Sequence, residues 1–169
     1  MTSDPVRVLP RINHIVLKVR DLNRSVAFYC AVFAYEEAME RFGDDAQAFL
    51  RAKNSNNHHD LSFQRVAADA PAPQRGAVGL YHFALEVETF DDLLAARERL
   101  VALHALTAEF DTGATLSIYG RDPDGHTFEV MWEVPREAWG DYEHRAGAMP
   151  LDFQAAGEKW SRVISGRQG

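Results

Sequence analysis

The feature that most constrains this chain is an internal repeat. Ile12-Asn13-His14-Ile15-Val16-Leu17-Lys18-Val19 and Leu80-Tyr81-His82-Phe83-Ala84-Leu85-Glu86-Val87 both read as strands, and each carries a histidine at the same place. A helical pattern follows each. Asp21 stands as an N-cap before Leu22, Val26, Tyr29 and Phe33, and Thr89 precedes Leu93, Leu94, Ala96, Arg97 and Leu100. A supersecondary unit repeated in this way buries its apolar face only against a neighbouring unit, so the fold is expected to be built by pairing.

Short strand-like stretches come next in each half. In the first they are Tyr35–Phe42, Ala46–Ala52 and His59–Val66; in the second, Ala105–Phe110, Ala114–Arg121 and Thr127–Glu133. Asp44-Asp45 supplies turn chemistry in the first half and Pro123-Asp124-Gly125 in the second. Each half therefore reads β-α-β-β-β. The expected class is α+β, with two paired repeats forming a curved mixed sheet. One domain is expected over 1–169: repeat one over about 10–67, a linker rich in Ala, Pro and Gly over 68–79, repeat two over about 80–134, and a tail over 135–169. The tail spreads Trp139, Tyr142, Phe153 and Trp160 among polar residues, as short helices and loops packing on the sheet or on a partner chain would.

Composition narrows the partners. With 169 residues the chain is long enough for one proper core, and 46% apolar and 25% charged residues are ordinary for a globular domain. A formal charge of −7 argues against nucleic acid, which asks for a basic stripe. No run approaches the roughly 18–20 apolar residues of a membrane span, and Met1 to Arg11 lacks the apolar stretch of a signal peptide. One cysteine, Cys30, excludes an internal disulfide and a cysteine-rich zinc site. The expected compartment is the cytoplasm.

The chemistry lies in three residues. Glu129 sits in the closing strand of repeat two, where alternation puts Thr127, Glu129 and Met131 on one side and Phe128, Val130 and Trp132 on the other. A carboxylate in so apolar a strand is costly to bury unpaired, and a metal removes that cost. If the repeats pair about a pseudo-two-fold axis, His14 and His82 approach each other. Two imidazoles and a carboxylate on one side of an ion form the facial triad of non-haem Fe(II) oxygenases.

Paired β-α-β-β-β repeats bearing these residues resemble the vicinal oxygen chelate superfamily, which includes glyoxalase I, bleomycin- and fosfomycin-resistance proteins, methylmalonyl-CoA epimerase and type I extradiol dioxygenases. Within it, Ser117-Ile118-Tyr119-Gly120-Arg121-Asp122-Pro123-Asp124-Gly125-His126-Thr127-Phe128-Glu129 is similar to the extradiol signature, in which a tyrosine precedes Asp-Pro-x-Gly and a glutamate ligand. Asn56-Asn57-His58-His59-Asp60-Leu61-Ser62-Phe63 resembles the segment that supplies a histidine as acid–base catalyst, and the matching position is His59. The resemblance implies metal ligation by His14, His82 and Glu129, and catalysis by His59 and Tyr119. It further implies Fe(II), with Mn(II) or another divalent ion as the alternative, and a small aromatic diol and O2 as substrates. A homo-oligomer, dimer or higher, is also expected, because one pair of repeats leaves sheet edges and a concave face uncovered.

Two positions leave other readings open. The extradiol pattern has another histidine shortly before the tyrosine, where this chain has Asp111-Thr112-Gly113; Thr112 donates a hydrogen bond but carries no charge. Gln64 stands in the strand that supplies a fourth ligand in glyoxalases and epimerases, so a lyase or isomerase is the runner-up. A bleomycin-resistance-type binding protein is the third reading, and it needs no triad. His104, at a helix end, together with His126 and His144, receives no role.

Overall fold

The computed structural model describes residues 11–41 and 46–161. Repeat one contains β1 (Ile15–Val19), α1 (Leu22–Phe33), β2 (Glu36–Glu37), β3 (Gln47–Arg51) and β4 (Leu61–Arg65). Repeat two contains β5 (Phe83–Glu86), α2 (Phe90–Ala102), β6 (Leu106–Asp111), β7 (Thr115–Arg121) and β8 (Thr127–Glu133). The tail adds two 3₁₀ turns, a short β9 (Met149–Pro150) and α3 (Phe153–Trp160). The expected α+β architecture is present, with the repeats forming two separate sheets, ordered β1-β4-β3-β2 and β5-β8-β7-β6-β9.

The caps act as the sequence suggests. The Asp21 carboxylate accepts from the Arg24 N–H at the start of α1. Thr89 and Asp92 form a reciprocal capping box on α2. The opening strands are shorter than their apolar runs. β1 begins only at Ile15, whose N–H bonds to the Asp60 carbonyl where β4 starts, so His14 lies immediately before the strand. His82 likewise directly precedes β5. The expected strand over Tyr35–Phe42 contracts to Glu36–Glu37, while Phe42 and the Asp44-Asp45 turn fall outside the described residues.

Each sheet turns one face to the helices. Leu17, Val19, Leu61 and Phe63 from sheet one, and Phe83, Ile118, Phe128, Val130 and Trp132 from sheet two, are buried with Tyr29, Phe90, Leu93 and Leu100 of the helices in one core. The alternation of β8 is as expected, with Phe128, Val130 and Trp132 fully buried. Phe128 is the hinge of this packing, since Phe28, Tyr29 and Phe33 of α1 all surround its ring.

A polar clamp joins the repeats beside that cluster. In the turn Asp122-Pro123-Asp124-Gly125, Gly125 takes the left-handed backbone (φ 92°), and both carboxylates are buried. Tyr29 Oη donates to Asp122 Oδ2 at 3.3 Å, while Arg24 reaches Asp124 at 3.0 Å and Arg20 at 3.4 Å. Because both arginines stay partly exposed, removing the carboxylate strands no fully buried charge. Asp124→Ala is therefore expected to cost about 1.5–3 kcal/mol, the range for hydrogen bonds to charged groups. For a chain of this size that is a fall of roughly 2–4 °C per kcal/mol in thermal unfolding. An unchanged melting temperature would show the clamp to be inert.

The tail covers sheet two and its helix. β9 pairs with the outer edge of β6, Phe153 packs on Phe90, and Trp160 packs on Trp132. No helix among the described residues is long and apolar enough to cross a membrane.

Candidate metal centre

The face of sheet two away from the helices carries the buried carboxylate. In register, Tyr119 of β7 and Ala84 of β5 flank Glu129 of β8 on either side. His82, two residues before Ala84, falls on the same face, and its Nε2 lies 3.0 Å from Glu129 Oε2. The Tyr119 hydroxyl donates to Glu129, and its ring stands edge-on to His82 at 5.5 Å. Burial, with the carboxylate beside it, pushes the Tyr119 phenol up to about 12, so it remains a hydrogen-bond donor through the physiological range.

A second cluster lies in repeat one. His14 Nδ1 is 3.0 Å from Asn13 Oδ1, a contact that fixes the proton on Nδ1 and leaves Nε2 free to ligate. The His14 ring packs on His59 at 4.4 Å, His59 stands edge-on to Phe49 at 5.1 Å, and His58, the outward neighbour, reaches His59 Nδ1 at 3.0 Å. Partial burial first, then the adjacent His14 and His58, hold His59 below the usual imidazole range. It is neutral near pH 7 and able to take a proton.

Asp60 orders the loop that presents His59, a role the sequence reading did not find. Its carboxylate accepts from the Ala52 N–H, Ser55 Oγ and Asn57 Nδ2, and Asn57 in turn donates to the Asn13 carbonyl. The one signal was polar: Asn13 beside His14, and Asn-Asn shortly before Asp60. Burial alone would raise the Asp60 carboxyl, but these three donors outweigh it and hold it below the usual carboxylate range. A depressed folded-state pKa stabilises the fold above the unfolded value and loses that contribution as pH falls through the folded one. Asp60→Asn should therefore melt a few degrees below the parent at pH 7, and the gap should close in acid below the ordinary carboxylate range. A gap that persists unchanged in acid would refute the assignment to the ionised carboxylate.

The structure thus brings together two of the three expected ligands, His82 and Glu129, and sets His14 beside His59 in the other half. Among the described residues of one copy, no three His, Cys, Asp or Glu side chains gather as a group able to hold a metal. The residues nevertheless suit an ion. Two ligands at about 2.0–2.2 Å from one metal lie about 3 Å apart, as His82 Nε2 and Glu129 Oε2 do. His82 Nδ1 is buried with no hydrogen-bond partner, so Nε2, the nitrogen that faces Glu129, is the one placed to ligate. Only repeat two carries the carboxylate. Val16 pairs with Ser62 as Ala84 pairs with Glu129, so Ser62 is the counterpart of Glu129 in repeat one.

The remaining positions take structural places. Thr112 is committed to the β6–β7 turn, its Oγ1 accepting from the Thr115 N–H at 2.9 Å. The ring of Tyr142 from the tail occupies the space where a side chain at Gly113 would stand. Gln64 is exposed and in register with Lys18 and Gln47, and His59 precedes β4. His126 Nδ1 pairs with Asp122 at 2.9 Å, and His104 adopts a left-handed turn after α2.

A family model described as the Glyoxalase/Bleomycin resistance protein/Dioxygenase superfamily matches residues 11–130. The chain belongs to this superfamily. It is 30% identical over 155 residues to a catechol-2,3-dioxygenase of Bacillus subtilis, covering 88% of this chain and 53% of the relative. It is 28% identical over 144 residues to biphenyl-2,3-diol 1,2-dioxygenase 3 of Rhodococcus globerulus, covering 81% and 72%. The chain therefore spans about half the length of the Bacillus relative. Among solved structures, a glyoxylase/bleomycin resistance protein/dioxygenase domain from Frankia superposes with a TM-score of 0.63 at 23% identity, over 75% of this chain and all of that one. The fosfomycin resistance protein FosX of Listeria monocytogenes, complexed with Mn(II) and sulfate, does so at 0.59 and 23%, over 80% and 99%. These structures share the fold of this superfamily member, whose two halves each reproduce the same strand–helix order.

Proposed function

We propose that the chain is a metal-dependent extradiol ring-cleaving dioxygenase that acts on a catechol-like aromatic diol with O2. Fe(II), or Mn(II) in its place, would be held on His14, His82 and Glu129. The observation that carries this reading is the placement of Tyr119 directly across from Glu129, with its hydroxyl on the carboxylate and its ring beside His82. The names of the sequence relatives from Bacillus and Rhodococcus support it.

When bound, the ion supplies a Lewis-acidic, redox-active centre with open positions on one side. The protein's own groups do the rest. Tyr119 keeps its proton and would turn it from Glu129 to an oxygen of the diol bound beside that carboxylate. His59 starts neutral, accepts the proton of the second hydroxyl and returns it later in turnover. Phe110, packed on the Tyr119 ring at 5.9 Å, and Phe49, packed on His59, give apolar walls suited to a flat aromatic ring. Thr112, held in its turn, offers no cation to a substrate oxygen, so the acid–base work falls on His59.

A metal-dependent lyase or isomerase is the second reading, and exposed Gln64 is what favours it, as a further oxygen donor. The test is anaerobic reconstitution with Fe(II), followed by oxygen uptake and absorbance against a panel of catechols. Oxygen consumption with a ring-opened product is expected. A metal-loaded protein that consumes no oxygen with any catechol, yet converts a hemithioacetal or epoxide, would replace this reading with the second.

A further inference from the structure

We propose that a groove on the helix side of sheet two binds a small aromatic carboxylate, apart from the face that carries His82 and Glu129. The groove lies between α1 and the turn that joins α2 to β6. It holds about 610 Å³, inside the roughly 300–1,000 Å³ usual for small-molecule sites. Phe28, which lines it, packs on Phe128 at 6.0 Å, and Phe128 alternates with Glu129 along β8. Sheet two therefore stands between the groove and the metal-site face.

Its lining suits a flat ring. Phe28, Ala27, Ala31 and Leu103 are apolar, and Leu103 stays 48% exposed. Ala27 and Ala31 are exposed one turn apart on α1, and their short side chains leave the room that larger ones there would take.

Its charge suits an anion. Arg24, Arg121 and His104 line the same groove in a chain of formal charge −7. Arg121 is exposed, and its side chain has no hydrogen-bond or ion-pair partner among the described residues. Arg24 spends one nitrogen on Asp124, and a guanidinium has further N–H donors. Asp122, the carboxylate in the lining, does not compete for these cations. It is buried and accepts from Tyr29, the His126 ring and two backbone N–H groups.

His104 is an independent sign of use. It stands just past α2 with φ 53°, the left-handed conformation that a helix end ordinarily gives to glycine. Its own N–H and that of Ala105 close the turn on the Val101 and Leu100 carbonyls, bonds that glycine would make equally well. The side chain thus adds nothing to the turn and carries a conformational cost. What it supplies is an imidazole at the groove. A carboxylate pairs with the Arg121 fork beside it, while the attached ring lies over Ala27 and Ala31.

Titration of the full chain with 1-naphthoate, followed through backbone amide NMR shifts, tests this. Saturable shifts are expected at Ala31, Leu103 and Arg121, with a Kd of about 1 mM or below. Ala84 and Met131, on the metal-site face, should not move. Uncharged 1-naphthamide should bind at least about tenfold more weakly, as should 1-naphthoate to Arg121→Gln, since each change removes a charge-assisted contact. Ala31→Trp, which fills the groove from an exposed position, should abolish binding; Ala27→Phe serves if that variant does not fold. His104→Gly should melt no lower than the parent and still bind severalfold more weakly. Shifts confined to Ala84 and Met131, or none that saturate, would overturn the site. Equal binding of the amide would overturn the anionic ligand. Unchanged affinity in both Arg121→Gln and Ala31→Trp would overturn the location, and a lower melting temperature with unchanged binding in His104→Gly would make His104 purely structural.

Discussion

A His59→Ala variant is expected to keep its metal and lose about 10²–10⁴-fold in ring cleavage, the usual contribution of a positioned general acid–base group. Glu129→Ala is expected to fail differently, losing the metal and with it all turnover. The difference follows from position. Glu129 is buried 3.0 Å from the His82 nitrogen, within the span of two ligands to one ion, whereas His59 stands behind His14 and outside the proposed ligand set. Metal analysis beside turnover separates the two. Near-normal activity of His59→Ala on a substrate the parent cleaves would make His59 a structural histidine and remove the proposed base. Loss of metal from His59→Ala would instead make it a ligand.

The largest effect on stability is expected at Phe128. Its side chain is fully buried, and rings from Phe28, Tyr29, Phe33 and Phe83 lie 5.6–6.2 Å from its own. Truncating such a residue to alanine costs about 3–5 kcal/mol, because the removed contacts leave a cavity the surroundings fill only partly. Against the 5–15 kcal/mol typical of a whole domain, that is a large fraction. In thermal unfolding Phe128→Ala should fall by at least about 6 °C. Phe110→Ala, at a residue 38% exposed, makes the control and should shift stability by about 0.5 kcal/mol or less. If the two variants melt together, Phe128 is not what holds the repeats to each other.

Much of this protein was legible in its sequence because the determinants are local. The repeated strand–helix pattern, Asp21 and Thr89 as caps, and the alternation that buries Phe128, Val130 and Trp132 while turning Glu129 to the other face all depend on neighbours a few residues apart. The pairing of Tyr119 with Glu129 follows almost as directly, since β7 and β8 are joined by a five-residue link, Asp122 to His126, that contains Asp-Pro-Asp-Gly. Other matters were settled only once the backbone was folded, even between residues close in sequence. Thr112 disappears into a hairpin turn because Thr115 is placed to bond it. Asp60 becomes the organiser of the His59 loop because its three donors converge only once β3 and β4 pair. Above all, a repeat fixes that two histidines are equivalent, but not which carboxylate-bearing face each one meets. That depends on how the two sheets pack, and the Phe128 cluster with the Asp122 and Asp124 clamp sets it, joining the repeats through their helices and leaving β1 and β5 as separate edges.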